Sequence, residues 1–138
     1  MSEIKNFLPQ REPFLFVDRI ISATKEEIIG EKLFDKTFFF YLKTPNTTNT
    51  VPDTFLIEAL MQCGGAALTK IGIINMMPWV IAKIDKVNIF SSAYENDLVL
   101  LKIKTNKISR RIINQTGIAY VNEKPLLQAS WVNVPLIK

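Results

Sequence analysis

Apolar positions change their period twice along the chain. Residues 14–23, FLFVDRIISA, are dense in aromatic and β-branched side chains, which predicts a strand. Residues 28–40 alternate roughly and end in the aromatic run Phe38-Phe39-Phe40-Tyr41, predicting a second strand. A polar loop from Lys43 to Val51 follows, with Pro45, Asn46 and Asn49. Phe55 to about Ile71 is then apolar nearly all round, the pattern of one long helix covered on most sides. Asp53 and Thr54, just before it, are expected to cap its free N–H groups. Gly64-Gly65 lower the stability of that helix, so a neighbouring element is expected to pack close there.

Strand patterns return after Pro78. They cover Trp79–Phe90, Leu98–Thr105, Ile112–Tyr120 and Leu126–Val134, and a turn at Asn122-Glu123-Lys124 predicts a hairpin between the last two. One buried helix among consecutive strands argues for an α+β fold with an antiparallel sheet around the helix. At 138 residues, with neither repeat nor linker, a single domain spanning 1–138 is expected.

Composition narrows the function more than the fold. An apolar fraction of 48% with 22% charged residues is ordinary for a globular protein. The net charge of +4 is concentrated in Lys102, Lys104, Lys107, Arg110 and Arg111. That run suits a solvated strand face and lacks the interleaved aromatics of a nucleic-acid platform, so no nucleic-acid role is expected. Cys63 is the single cysteine and there is no histidine, which argues against a disulfide or a metal site; no cofactor is expected. Cys63 lies in an apolar helical run, where a buried structural thiol is the expectation. The longest apolar tract is interrupted by Glu58, Gln62, Lys70, Asn75 and Pro78, so no membrane span is expected. Residues 1–10 lack the charged-then-apolar order of a signal peptide, and a cytoplasmic protein is the expectation.

Glu58 is the lone acid on the apolar helix, costly there unless it is partnered or used. Its surroundings carry a resemblance. LPQREPFLFVDRI (8–20) is similar to the L-P-H-R-x-P-F-L-L-V-D-R segment of 3-hydroxyacyl-[acyl-carrier-protein] dehydratases. Residues 40–62 match without a gap that family's F-F-x-G-H-F-P-G-x-P-V-M-P-G-V-L-I-x-E-A-L-A-Q. KIDKVNIFSSAYENDLV (83–99) resembles its G-I-D-x-x-x-F-x-x-x-V-x-P-G-D-x-L stretch.

The resemblance implies a hotdog fold, a curved sheet of five to six strands around one long central helix. It also implies a dimer and a ligand that is an acyl thioester or acyl-carrier protein. The family removes water from 3-hydroxyacyl thioesters, with a histidine as base at C2 and a carboxylate from the partner subunit protonating the leaving hydroxyl. Glu58 holds the acid position, whereas the histidine position fourteen residues upstream is Thr44. A threonine hydroxyl is far too weak a base for a carbon-bound proton without an activating group. The family's glycine amide at the helix start corresponds to the backbone amide of Asp53, and a glycine of the loop to Thr47.

Gln62, Phe40 and Tyr41 are candidate substrate-binding residues, the aromatics either lining an acyl tunnel or forming plain core. Glu58 has a structural alternative too, held only by Gln62 one turn on. Asp18 and Arg19 read as a structural pair, and Gln10 stands where the family often has another histidine. The expectation is a dehydratase-like protein of fatty-acid, polyketide or aryl-polyene biosynthesis, inactive alone. It would form a homodimer, or a heterodimer that completes one site of an active homologue. The alternatives are a thioesterase using Glu58 and a weak dehydratase with a reorganised site.

Overall fold

The structure is a computed structural model that describes residues 3–42, 49–74 and 79–136, with the side chains of 40–42 not described. A 3₁₀ turn, Glu3–Asn6, leads to β1 (Arg19–Ala23), β2 (Glu27–Phe34), α1 (Lys36–Leu42) and α2 (Asp53–Lys70). Then come β3 (Trp79–Ile89), β4 (Asp97–Ile108), β5 (Ile113–Val121) and β6 (Lys124–Pro135). The strands form one antiparallel sheet in the order β1-β2-β4-β5-β6-β3. Helix α2 packs against β1, β2, β4, β5 and β6. This is the α+β hotdog architecture, six strands around one long helix.

Alternation decides which face meets the helix. Val99, Leu101 and Ile103 of β4, Ile113, Gln115 and Ala119 of β5, and Leu127, Ala129 and Trp131 of β6 are all buried at every second position. The intervening lysines 102 and 104 are exposed on the outer face, as expected of the basic run. Small residues on α2 (Ala59, Gly64, Ala66, Ala67) let the helix lie close to the sheet. A Cβ on Gly64 would come within 2.4 Å of Gln115 Oε1, so the close approach expected there is found, whereas Gly65 has nothing within 4 Å. The β5–β6 hairpin turns through Asn122 and Glu123 with φ of 48° and 68°, the left-handed pair of a two-residue turn.

Three expectations about elements are corrected. The segment 14–23 is a strand only from Arg19. The backbone N–H of Phe16 and carbonyl of Phe14 are bonded by the Gln62 side chain, at 2.8 Å each, in place of a neighbouring strand. The second strand ends at Phe34, and Phe38 to Tyr41 lie on helix α1. Asp35 accepts a hydrogen bond from the N–H of Phe38 at 3.2 Å, the chemistry of a helix start, and three aromatics in a row cannot alternate faces. Finally, neither Asp53 nor Thr54 caps α2. The cap position is Pro52, which has no side-chain donor or acceptor, and Asp53 is the first residue of the helix.

Strand β3 differs from the others. Among the described residues it is paired only to β6, two irregularities interrupt that pairing, and from Val80 to Ile89 every residue is exposed. Val80, Ile81, Ile84, Val87 and Ile89 thus lie uncovered along a sheet edge. An edge with free backbone groups and apolar side chains is a template for another chain.

Candidate active site

Glu58 sits half-buried on α2, one turn before Gln62. The Gln62 amide is engaged at both ends: Oε1 accepts from Phe16 N–H, and Nε2 donates to Phe14 carbonyl at 2.8 Å and to Glu58 Oε1 at 3.4 Å. Gln62 therefore ties the 14–16 segment to the helix and steadies the acid. Ahead of them, Val51 N–H bonds Ala93 carbonyl at 2.8 Å, anchoring the approach to α2.

Glu58 lines two cavities. One, about 420 Å³, is walled by Pro13, Phe14, Phe16, Phe38, Thr54 and Phe55. Phe16 and Phe55 stack with centroids 5.0 Å apart, and Phe38 meets Phe16, Phe34 and Phe55 edge-on at 6.2, 4.8 and 5.7 Å. Edge-to-face pairs of this kind hold rings rigidly. The other, about 340 Å³, is more polar and adds Gln10, Gln62, Thr69, Trp79 and Asn133 to Glu58.

Burial pushes the Glu58 carboxyl above its ordinary value, and the Gln62 hydrogen bond only partly opposes that shift. The protonated acid thus persists to higher pH than in a solvated glutamate. The linkage has a definite sign. A raised folded-state pKa contributes stability that is complete below the unfolded value of about 4.3 and is lost as pH rises through the folded one. Glu58→Gln is expected to match the wild-type thermal midpoint near pH 4 and to exceed it by a margin that grows until pH passes the folded-state pKa and is constant above it. Melting curves from pH 4 to 9 check this, and a pH-independent difference would contradict it.

The remaining candidates fall as follows. Asp53 opens α2, where the first four N–H groups of a helix lack intrahelical acceptors, and the cavity wall begins at the next residue, Thr54. Thr44, Thr47 and the side chains of Phe40 and Tyr41 lie outside the described residues. Asp18 and Arg19 are structural, but each pairs with β2 rather than with the other. Asp18 takes Lys32 Nζ at 3.3 Å and Leu33 N–H at 2.6 Å, and Arg19 pairs with Glu31. Cys63 is buried, and burial drives its thiol far above the ordinary range, so it is inert. Among the described residues no cluster of three metal-ligating side chains forms, and no helix is long and apolar enough to cross a membrane.

Sequence reasoning missed Phe14, Phe16 and Phe55 as cavity wall. The signal lay in FLF at 14–16, whose two phenylalanines flank buried Leu15.

A hotdog fold whose central helix carries a half-buried acid into an aromatic cavity defines the class. The chain is 32% identical over 130 residues to the 3-hydroxyacyl-[acyl-carrier-protein] dehydratase FabZ of Syntrophobacter fumaroxidans, covering 94% of this chain and 88% of that protein. It is 28% identical to the corresponding enzyme of Fusobacterium nucleatum over 134 residues, 96% and 94% of the two chains. This chain belongs to the FabZ 3-hydroxyacyl-[acyl-carrier-protein] dehydratase family. No family model matches it. Among solved structures, the dehydratase heterocomplex ApeI:P from Xenorhabdus doucetiae superposes with a TM-score of 0.82 over 98% of this chain and 91% of that one, at 10% identity. A hypothetical thioesterase from Streptococcus pneumoniae, solved with coenzyme A, gives 0.67 over 86% and 84% at 11% identity. At such identities these two show the shared fold.

Proposed function

We propose that this chain is the acid-bearing subunit of a dehydratase for 3-hydroxyacyl thioesters of acyl-carrier protein, inactive alone and completed by a histidine-bearing homologue. The observation that carries this reading is Glu58 itself: a half-buried carboxyl whose proton affinity burial raises, beside an aromatic cavity, in a protein with no histidine. In the dehydration, the partner's base removes the C2 proton, the C2=C3 bond forms and the C3–O bond breaks. Glu58 gives its proton to the departing hydroxyl, which leaves as water. A protonated acid suits that step. This chain has no histidine to take the C2 proton, and the hydroxyl of Thr44 is far too weak a base for it.

The apolar edge of β3 supports pairing with a second hotdog subunit, and a dehydratase heterocomplex is among the structures that share the fold. In this reading residues 1–138 act as a single hotdog domain, and the Phe14–Phe16–Phe38–Phe55 cavity receives the acyl chain. The test is activity of the purified chain alone and mixed with a histidine-bearing homologue inactivated at its own acid. Expected are no turnover alone and activity on mixing; no gain on mixing would sink the reading. Hydrolysis of acyl thioesters by the purified chain, lost in Glu58→Gln, would favour a thioesterase instead.

A further inference from the structure

Phe38 stands where two cavities meet. It walls the aromatic cavity of about 420 Å³ that Glu58 lines, and with Pro13 it also walls a second cavity of about 310 Å³. The two spaces differ in character. Phe14, Phe16 and Phe55 join Phe38 around the first, whereas Glu12, Asp18, Lys32 and Asp35 line the second. There Lys32 is almost buried and donates to Asp18 at 3.3 Å. An apolar tail entering that space would strip water from charged groups while offering them no partner. The partition at Phe38 is therefore chemical as well as steric.

Phe38 is also held in place. Its backbone N–H donates to Asp35 Oδ1 at 3.2 Å, which fixes the first turn of α1 beneath the ring. The ring meets Phe34, Phe39, Phe55 and Phe16 edge-on, with centroids 4.8, 5.2, 5.7 and 6.2 Å away. Phe34, the nearest of these, is fully buried, so Phe38 has a core ring against it and little room to withdraw. Phe14, by contrast, is 68% exposed and marks where the aromatic cavity opens to solvent.

We infer that Phe38 is a specificity-determining residue of the Glu58 site: its ring closes the aromatic cavity and sets the longest acyl chain that the site takes. This rests on the proposed function, in which that cavity receives the acyl chain. Two properties fit Phe38 to be the stop. Swinging its ring aside would break the edge contacts with its four neighbours, which makes the limit sharp. The charged wall beyond it gives a longer tail nothing to gain by displacing it. Within the cavity each further methylene buries apolar surface and gains about fourfold in affinity, and past the ring it gains nothing. The substrate class is thus a 3-hydroxyacyl group of bounded length with an apolar end.

The test is calorimetric binding of the even-numbered saturated series from hexanoyl to hexadecanoyl coenzyme A, whose common head group cancels. Wild-type affinity is expected to rise by about fourfold per methylene and then to level off at one chain length. Phe38→Ala removes the ring and is expected to move that break by about three methylenes. The longest probes then bind about 30–100-fold more tightly than they do to the wild type, with hexanoyl unchanged. Phe39→Ala is the control. Its ring packs on Phe38 but walls neither cavity, and the break is expected to stay where it was. A break unmoved by Phe38→Ala, or moved as far by Phe39→Ala, would overturn the inference.

Should Phe38→Ala not fold, Phe38→Leu reads the same feature with an apolar side chain of smaller volume. It is expected to move the break by about one step of the series in the same direction. An unmoved break would again overturn the inference. If wild-type affinity shows no break, this inference fails while the proposed function stands. If the wild type binds none of the series, the proposed function fails as well.

Discussion

Glu58→Gln, introduced into a complex of this chain with a histidine-bearing homologue, is expected to lower the dehydration rate by about 10²–10⁴-fold without dissociating the complex. That range corresponds to about 2.7–5.5 kcal/mol of transition-state stabilisation. Glutamine keeps the length of the side chain and an oxygen that can still accept from Gln62 Nε2. What it loses is the transferable proton. The loss is therefore expected in kcat, with KM little changed, because substrate contacts in the aromatic cavity persist. The pH profile adds a second signature. An acid must be protonated to act, so the wild-type rate is expected to fall as pH rises through the elevated Glu58 pKa, and the limb is absent in the variant. Steady-state kinetics on the purified complex decides the matter: an unchanged rate would mean that Glu58 is only a tolerated buried acid.

The second large effect concerns stability, and it separates two adjacent glycines. Gly64→Ala is expected to destabilise the protein by about 2–4 kcal/mol. The new methyl would lie within 2.4 Å of Gln115 Oε1, whose side chain is fully buried and cannot swing into solvent. That oxygen accepts from Trp131 Nε1 at 3.0 Å, and Gln115 Nε2 donates to Thr105 Oγ1 at 3.2 Å. Displacing the amide costs overpacking and strands a buried indole N–H, against a gain of roughly 1 kcal/mol from replacing a helical glycine. Gly65→Ala, with nothing within 4 Å, keeps only that gain and is expected to stabilise by about 0.5–1 kcal/mol. Thermal melts should show shifts of opposite sign, a fall of roughly 5–15 °C against a rise of a few degrees. A neutral Gly64→Ala would mean that the helix–sheet contact is looser than the Gln115 network implies.

Much of the fold was legible because its signals are local. The four C-terminal strands and their hairpin follow from alternation and from the turn at Asn122-Glu123, and α2 from an uninterrupted apolar run. The failures share a physical cause. Residues 36–42 have strand-like composition, yet Asp35 starts a helix there, and a single side-chain bond outweighed propensity. Phe14 to Asp18 look like strand, but the Phe16 N–H and the Phe14 carbonyl are satisfied by the Gln62 side chain, distant in sequence.

The candidate site divides in the same way. Glu58 is conspicuous in the sequence as a lone acid on an apolar helix, and the missing histidine is plain from composition. The spacing of Glu58 and Gln62 already placed them one turn apart. That Gln62 is consumed by Phe14 and Phe16 was not legible, because hydrogen-bond partners distant in sequence are chosen by the packing of the whole chain. Nor was the aromatic cavity, assembled from 13–16, from α1 and from the first turns of α2.

By itself, then, the sequence determined the helix, most of the strands, the lone carboxylate and the absence of histidine, since each is a property of residue type and short-range period. Tertiary structure alone decided that the acid is half-buried between two cavities and that, among the described residues, the Gln10 side-chain oxygen meets no hydrogen-bond partner. Both depend on which surfaces from distant segments close over a side chain, and only the folded chain sets that dielectric and those partners.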